Sequence, residues 1–258
     1  MIDCAARTTW ILSLIVGVSF GLAYLLQEIG GRIRRRGCVG SRGIYWYIVA
    51  PGIACHELGH CVGCWVTGNH VSKVDWFTPN NPDHLGAVWH SSSEGWKGAI
   101  ESAVISTGPI WFGCVMIAIL SKMLLGTASA IDINRYVEFS IAPGIIEYVL
   151  GCFRAAVEFF FGVTLDSVVS VWRIVAWTYL VFCISSEIGM SGVDMSHAKK
   201  GVIILVIGLS ALSMLPFIGK WVVAIVCLLL PIVFVMHTVM VIGLIVGFLM
   251  WMVIKLIR

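Results

Sequence analysis

Two histidines and a glutamate lie close together in an apolar stretch, where His56, Glu57 and His60 form the pattern H-E-x-x-H. On an α-helix, residues four apart lie about 40° from each other around the axis, so both imidazoles can point at one metal ion. Glu57 is too close in sequence to be a good third ligand, but it can hold and deprotonate a metal-bound water. The same short pattern also arises by chance. Because two imidazoles and a carboxylate are costly to place in lipid, the metal site is the stronger interpretation.

The composition places this pattern in a membrane. Hydrophobic residues make up 59% of the 258-residue chain, charged residues make up 12%, and the mean hydropathy is +0.95. These values predict an all-α polytopic membrane protein with room for about six spans of roughly 20 residues each. The net charge of +3 is small, so nothing suggests nucleic-acid binding. We expect a multi-pass integral protein, in the cell membrane, surrounded by the lipid bilayer.

Six apolar segments have the length that a transmembrane helix needs. We place them at about 10–26, 44–67, 99–120 and 168–185, with two more inside 201–254 that divide near 216–220. We treat residues 1–258 as a single domain with its core at about 44–198 and an accessory C-terminal helical hairpin at about 201–254.

Charged residues interrupt the apolar pattern at two places. A basic cluster follows the first expected span and is typical of a cytoplasmic loop; it consists of Arg32, Arg34, Arg35, Arg36 and Arg42. The segment 136–161 is apolar, but Glu147, Arg154 and Glu158 share one helical face. This segment is therefore predicted to be an amphipathic helix at the membrane interface, with a span whose polar face turns inward as the alternative.

The segment 70–90 differs in character from the apolar blocks around it. Short alternating stretches lie on either side of a Pro-Asn-Asn-Pro turn, which predicts a small membrane-associated β-hairpin or a pair of extended segments. His84 and His90 fall in this segment and are possible additional ligands. His90 is the better candidate, although histidines in such positions are more often interfacial than metal-bound.

A third metal ligand is needed, because catalytic zinc normally takes three protein groups and leaves a fourth position for water. Asp194 is our choice, since it lies beyond the fourth expected span in a Gly-containing segment that can fold back toward the bundle. The alternative is structural: Ser191-x-x-Asp194 resembles the capping arrangement that starts a helix. Glu187, His90 and Glu101 are reserve ligands, with Glu101 favoured instead as a carboxylate at headgroup level.

Three stretches resemble the site-2 proteases, a family of intramembrane zinc metalloproteases. HELGH at 56–60 matches the family's zinc motif, and Thr107-Gly108-Pro109 resembles its small-residue-Gly-Pro element in the following span. The extended segment between them resembles the family's membrane-associated β-region. The resemblance covers about 44–198. It departs at the third ligand, where the family usually has Asp-Gly and this chain has Ser-Gly-Val-Asp194-Met.

The resemblance implies hydrolysis of peptide bonds in or near the transmembrane segment of a membrane-protein substrate. One Zn2+ per chain would be held by His56, His60 and Asp194, and Glu57 would be the general base that deprotonates the zinc-bound water. The alternative from a different class is a metal-binding membrane protein without protease activity, such as a transporter or a degenerate scaffold. Glu57 distinguishes the two, because a transport or storage site needs ligands but no general base.

Overall fold

The fold is helical, with one small sheet. A computed structural model describes residues 2–37, 42–78, 85–126, 144–165, 170–215 and 217–257. Its helices are α1 (Ile2–Gly37), α2 (Arg42–Thr67), α3 (Gly95–Leu125), α4 (Ile145–Leu165), α5 (Val171–Glu187), α6 (Gly192–Leu212) and α7 (Ile218–Ile257). Two strands, β1 (Val71–Asp75) and β2 (Ala87–His90), lie between α2 and α3.

Four of these helices are long and apolar enough to cross a membrane. They cover Ala6–Arg35, Gly95–Leu125, Gly192–Leu212 and Ile218–Leu256, in α1, α3, α6 and α7. By length and composition these helices are consistent with a membrane protein. The segment expected at 44–67 is helical as α2, and the one expected at 168–185 is helical from Val171 on, as α5. Neither is among the four, and six spans remain a prediction. The last apolar block divides between Leu212 and Ile218.

The basic cluster does not form a loop, contrary to the expectation from its charge. Arg32, Arg34 and Arg35 lie on α1, which continues to Gly37. Arg32 and Arg35 each pair with the carboxylate of Glu28, at 3.0 and 3.5 Å. These pairs on one face of the helix favour its continuation beyond the apolar stretch.

The segment around 136–161 forms a helix over its described part. Helix α4 covers Ile145–Leu165, and the expected residues 136–143 lie outside the described part of the chain. Glu147 and Arg154 are exposed, whereas Tyr148, Cys152 and Phe159 are buried on the opposite side. Large apolar side chains such as Leu150 are also exposed, so the interfacial position of this helix stays a prediction.

The predicted β-hairpin is confirmed as a two-stranded antiparallel sheet, in which Val74 pairs with Val88 and Asp75 with Ala87. Gly68, at a φ of 76°, ends α2 and turns the chain toward β1. A positive φ is one that glycine adopts without strain. The Pro-Asn-Asn-Pro turn and His84 lie outside the described residues.

Helices α2 and α3 cross at a very short distance because glycines face each other at the crossing. A Cβ added to Gly59 would lie 2.6 Å from the Cα of Pro109, and one added to Gly63 would lie 2.8 Å from the Cα of Ile105. Gly108 in turn packs on the backbone of Gly59. The Thr107-Gly108-Pro109 element is thus a close helix contact of the kind that small residues allow.

Candidate metal centre

The two motif histidines lie on one face of α2, with their Nε2 atoms 3.1 Å apart. The other ring nitrogen of each makes a contact to a backbone carbonyl from a different helix. His56 Nδ1 lies 2.6 Å from the carbonyl oxygen of Glu187, and His60 Nδ1 lies 2.9 Å from that of Ile105. The close crossing of α2 and α3 brings Ile105 within reach. Both rings are held in place by helices that pack against α2.

These contacts determine which ring nitrogens are free. A carbonyl oxygen can only accept, so each Nδ1 must carry the proton and donate it. In a neutral imidazole the Nε2 atom then has a lone pair and no hydrogen. Two such lone pairs facing each other at 3.1 Å have no proton between them and could hold a cation. Metal-binding histidines are typically oriented in this way, through a bond from the second ring nitrogen.

Asp194 brings a carboxylate to the same point. Its Oδ1 atom lies 3.5 Å from His60 Nε2, and its Oδ2 atom lies 3.8 Å from His56 Nε2. One ligand atom from each of the three residues can be chosen so that all lie within 4.8 Å of one another. Among the described residues this is the group of histidine, cysteine and acidic side chains that could hold a metal ion.

The capping role of Asp194 is also present, so the two interpretations of this residue are compatible. Ser191 is the N-cap of α6, and its hydroxyl accepts from the backbone N–H of Asp194 at 3.1 Å. Asp194 Oδ2 accepts in return from the Ser191 N–H at 3.1 Å and from its hydroxyl at 2.7 Å. The capping box thus orients a carboxylate that also faces the two imidazoles.

The three donors fit a divalent metal ion. Tetrahedral coordination with bonds of about 2.0–2.1 Å places ligand atoms roughly 3.3–3.4 Å apart. The two Nε2 atoms, 3.1 Å apart, are close to that spacing, while Asp194 approaches His60 through Oδ1 at 3.5 Å and His56 through Oδ2 at 3.8 Å. Two imidazole nitrogens and one carboxylate oxygen form a ligand set that suits zinc and also other first-row divalent ions.

Glu57 lies beside the group of His56, His60 and Asp194, called the metal group below, and is not part of it. Its side chain is buried and lines a cavity of about 470 Å3, which both histidines and Asp194 also line. Gly86, just before β2, lies directly against it: a Cβ added there would be 2.6 Å from Glu57 Oε1. The cavity therefore brings an acidic side chain, the three candidate metal ligands and the backbone of the hairpin to one place.

None of the three reserve ligands joins the metal group. His90 lines the cavity at the end of β2, but its Nδ1 contacts the carbonyl oxygen of Ser91 at 2.7 Å. The carboxylate of Glu101 pairs with Lys97 at 3.5 Å. The carboxylate of Glu187 lies 3.4 Å from Arg34. Glu187 contacts His56 through its backbone carbonyl instead.

Several contributors to the site carry no signal in the sequence. The carbonyls of Ile105 and Glu187 are backbone groups, and their role depends on where α3 crosses α2 and where α5 ends. Gly86 is an ordinary glycine until the hairpin folds over Glu57. Arg34 belongs to the basic cluster, and its charge alone predicts a position at the membrane surface rather than a contact with Glu187.

Comparison with known proteins adds no relative. No family model, no curated protein and no solved structure matches this chain significantly.

Proposed function

We propose that this chain is an intramembrane zinc metalloprotease that hydrolyses peptide bonds in or near transmembrane segments of other membrane proteins. One observation carries the proposal. Two imidazole Nε2 atoms, each with its Nδ1 committed to a carbonyl, converge with the carboxylate of Asp194 next to the acidic side chain of Glu57. A set of three protein ligands with an adjacent acid is the pattern of hydrolytic zinc sites.

Each residue then has one role. His56, His60 and Asp194 hold the ion, which when bound would supply a Lewis acid that activates water and polarises a carbonyl. Glu57 accepts a proton from the attacking water and later passes one to the leaving amine.

The hairpin supplies a place for an unwound substrate. A helical substrate hides its carbonyls in its own hydrogen bonds, so cleavage requires local unwinding, and bare lipid cannot satisfy the freed groups. Strand β2 pairs with β1, and its residues Ala87, Val88 and His90 line the cavity. An extended substrate segment that adds to this sheet would find backbone partners beside Glu57.

The test of this function is cleavage by the purified protein, reconstituted with zinc and with a membrane protein that carries one transmembrane helix. Wild type should cleave it, whereas Glu57→Gln should keep zinc and lose cleavage. The matched control is Glu147→Gln, which changes an exposed carboxylate on α4 and should cleave normally. Zinc binding without cleavage by wild type would instead support the non-proteolytic metal-binding alternative.

A further inference from the structure

The end of α5 is part of the metal centre. Glu187 is the last residue of this helix, and the last carbonyls of a helix have no intrahelical partner. The carbonyl oxygen of Glu187 accepts instead from His56 Nδ1 at 2.6 Å. The orientation of the His56 ring therefore depends on where the end of α5 lies.

The side chain of Glu187 is held by a residue from α1. It is only 10% exposed, and its Oε2 atom lies 3.4 Å from Arg34 Nη2. Its Oε1 atom is buried without a hydrogen-bond partner among the described residues. A carboxylate in this state is costly without a nearby positive charge, so Arg34 stabilises Glu187 at this position.

The backbone of α1 also contacts the chain on both sides of Glu187. Gly30 packs against the carbonyl of Ser186, just before it. A Cβ added to Gly189, just after it, would lie 2.7 Å from the backbone nitrogen of Gln27. The ion pair therefore lies in a region where α1 and the end of α5 fit closely, and small shifts of one helix are transmitted to the other.

We propose that Arg34 is a positioning residue of the metal centre, which acts through Glu187 to hold His56 in its metal-binding orientation. This inference rests on the proposed metal site and adds α1 to the elements that build it. Arg34 and Glu187 both line the cavity, yet neither belongs to the ligand group. The contribution of Arg34 is to fix the carbonyl that selects the His56 tautomer, as outer-shell partners of metal-bound histidines do.

The test is zinc affinity of the full-length protein in detergent, measured by competition with a chromogenic chelator. Arg34→Gln should weaken zinc binding about tenfold, the lower end of the 10–100-fold loss typical when an outer-shell partner is removed. Arg34→Lys, which keeps the charge, should recover most of the affinity. The matched control is Arg35→Gln, because Arg35 lies next in sequence, is 69% exposed and pairs with Glu28; it should bind zinc as wild type does.

A double-mutant cycle tests whether Arg34 acts through Glu187. Glu187→Gln alone should weaken zinc binding, and Arg34→Gln should then add little to that loss, because both changes remove the same interaction.

Cobalt(II)-substituted protein gives a second readout, since its visible spectrum reports ligand geometry. Arg34→Gln should change that spectrum, and Arg35→Gln should not. Thermal unfolding and gel filtration identify variants that lose zinc by misfolding; if Arg34→Gln misfolds, the comparison is made between Arg34→Lys and Glu187→Gln.

The outcomes separate this inference from the proposed function. Wild type that binds no zinc would overturn both. Wild type that binds and cleaves, with Arg34→Gln or Glu187→Gln indistinguishable from Arg35→Gln, would overturn the positioning role alone. Additive losses in the double variant would show that Arg34 does not act through Glu187, and would also overturn it.

Discussion

Ser191 holds the carboxylate of Asp194 by two hydrogen bonds, from its backbone N–H at 3.1 Å and from its hydroxyl at 2.7 Å, on the side of the cavity where the two motif histidines converge. One carboxylate thereby starts α6 and faces the metal group. The side chain of Asp194 thus completes the capping box of α6 and also faces both imidazoles.

Loss of the Ser191 hydroxyl should weaken both functions. Ser191→Ala is expected to lower the free energy of unfolding by about 1 kcal/mol through the lost cap, and zinc affinity by about tenfold through the lost partner of Asp194. Thermal unfolding and chelator competition measure the two effects. Ser196→Ala is the matched control, because that exposed hydroxyl on the same helix donates to the carbonyl of Val193. Equal zinc affinity in both variants would contradict the role of the cap.

Gly86 should tolerate no side chain. A Cβ at this position would lie 2.6 Å from Glu57 Oε1, so Gly86→Ala must displace the carboxylate or the hairpin. Because a positioned general base contributes about 10²–10⁴-fold to a rate, its displacement should reduce cleavage at least about tenfold while zinc content stays at the wild-type level. Gly208→Ala on α6, where a Cβ meets nothing within 4 Å, should leave cleavage unchanged. Normal cleavage by Gly86→Ala would show that Glu57 does not depend on this contact.

The crossing of α2 and α3 should be sensitive to volume. A Cβ at Gly59 would lie 2.6 Å from the Cα of Pro109, and overpacking of this kind costs about 1–3 kcal/mol. Gly59→Ala should therefore lower the midpoint of thermal unfolding and weaken zinc binding, since the same crossing brings Ile105 to His60. Gly21→Ala on α1 has open space around its Cβ and should do neither. An unfolding midpoint equal to that of Gly21→Ala would contradict the close crossing.

The hairpin should matter for cleavage and not for zinc. Val88→Pro removes a backbone N–H from β2, which pairs with β1 and lines the cavity. We expect cleavage of a transmembrane substrate to be abolished, with one zinc still bound, because no metal ligand lies on the hairpin. Val88→Thr keeps the N–H and should cleave. Loss of zinc in Val88→Pro would mean that the hairpin supports the metal site itself.

Local patterns predicted much of the framework. The H-E-x-x-H spacing predicts two imidazoles on one helical face, and the alternation in 70–90 predicts the hairpin; both depend on residues close in sequence. The same is true of the cap at Ser191. Because a cap and a ligand each need an oriented carboxylate, the pattern around Asp194 could not separate the two roles, and the structure shows a capping carboxylate that also faces both imidazoles.

Tertiary contacts explain what the sequence could not predict. Charge clustering suggested a loop for Arg34, but α1 continues through it, and the partner Glu187 is 153 residues away. By residue type alone, Glu187 and Glu101 could each be a metal ligand. In the structure their carboxylates pair with Arg34 and Lys97. Charge and residue type show that such groups need partners, and only the packing of the helices decides which partners they have.

The most direct measurement is the metal content of the detergent-purified protein. Wild type should contain one zinc ion per chain, and both His56→Ala and Asp194→Ala should lose it. Glu187→Ala should still bind one zinc ion, at reduced affinity, because its carboxylate is not a ligand. Zinc absent from wild type would contradict the metal centre itself. Zinc retained by Asp194→Ala at wild-type affinity would show that the third ligand lies elsewhere.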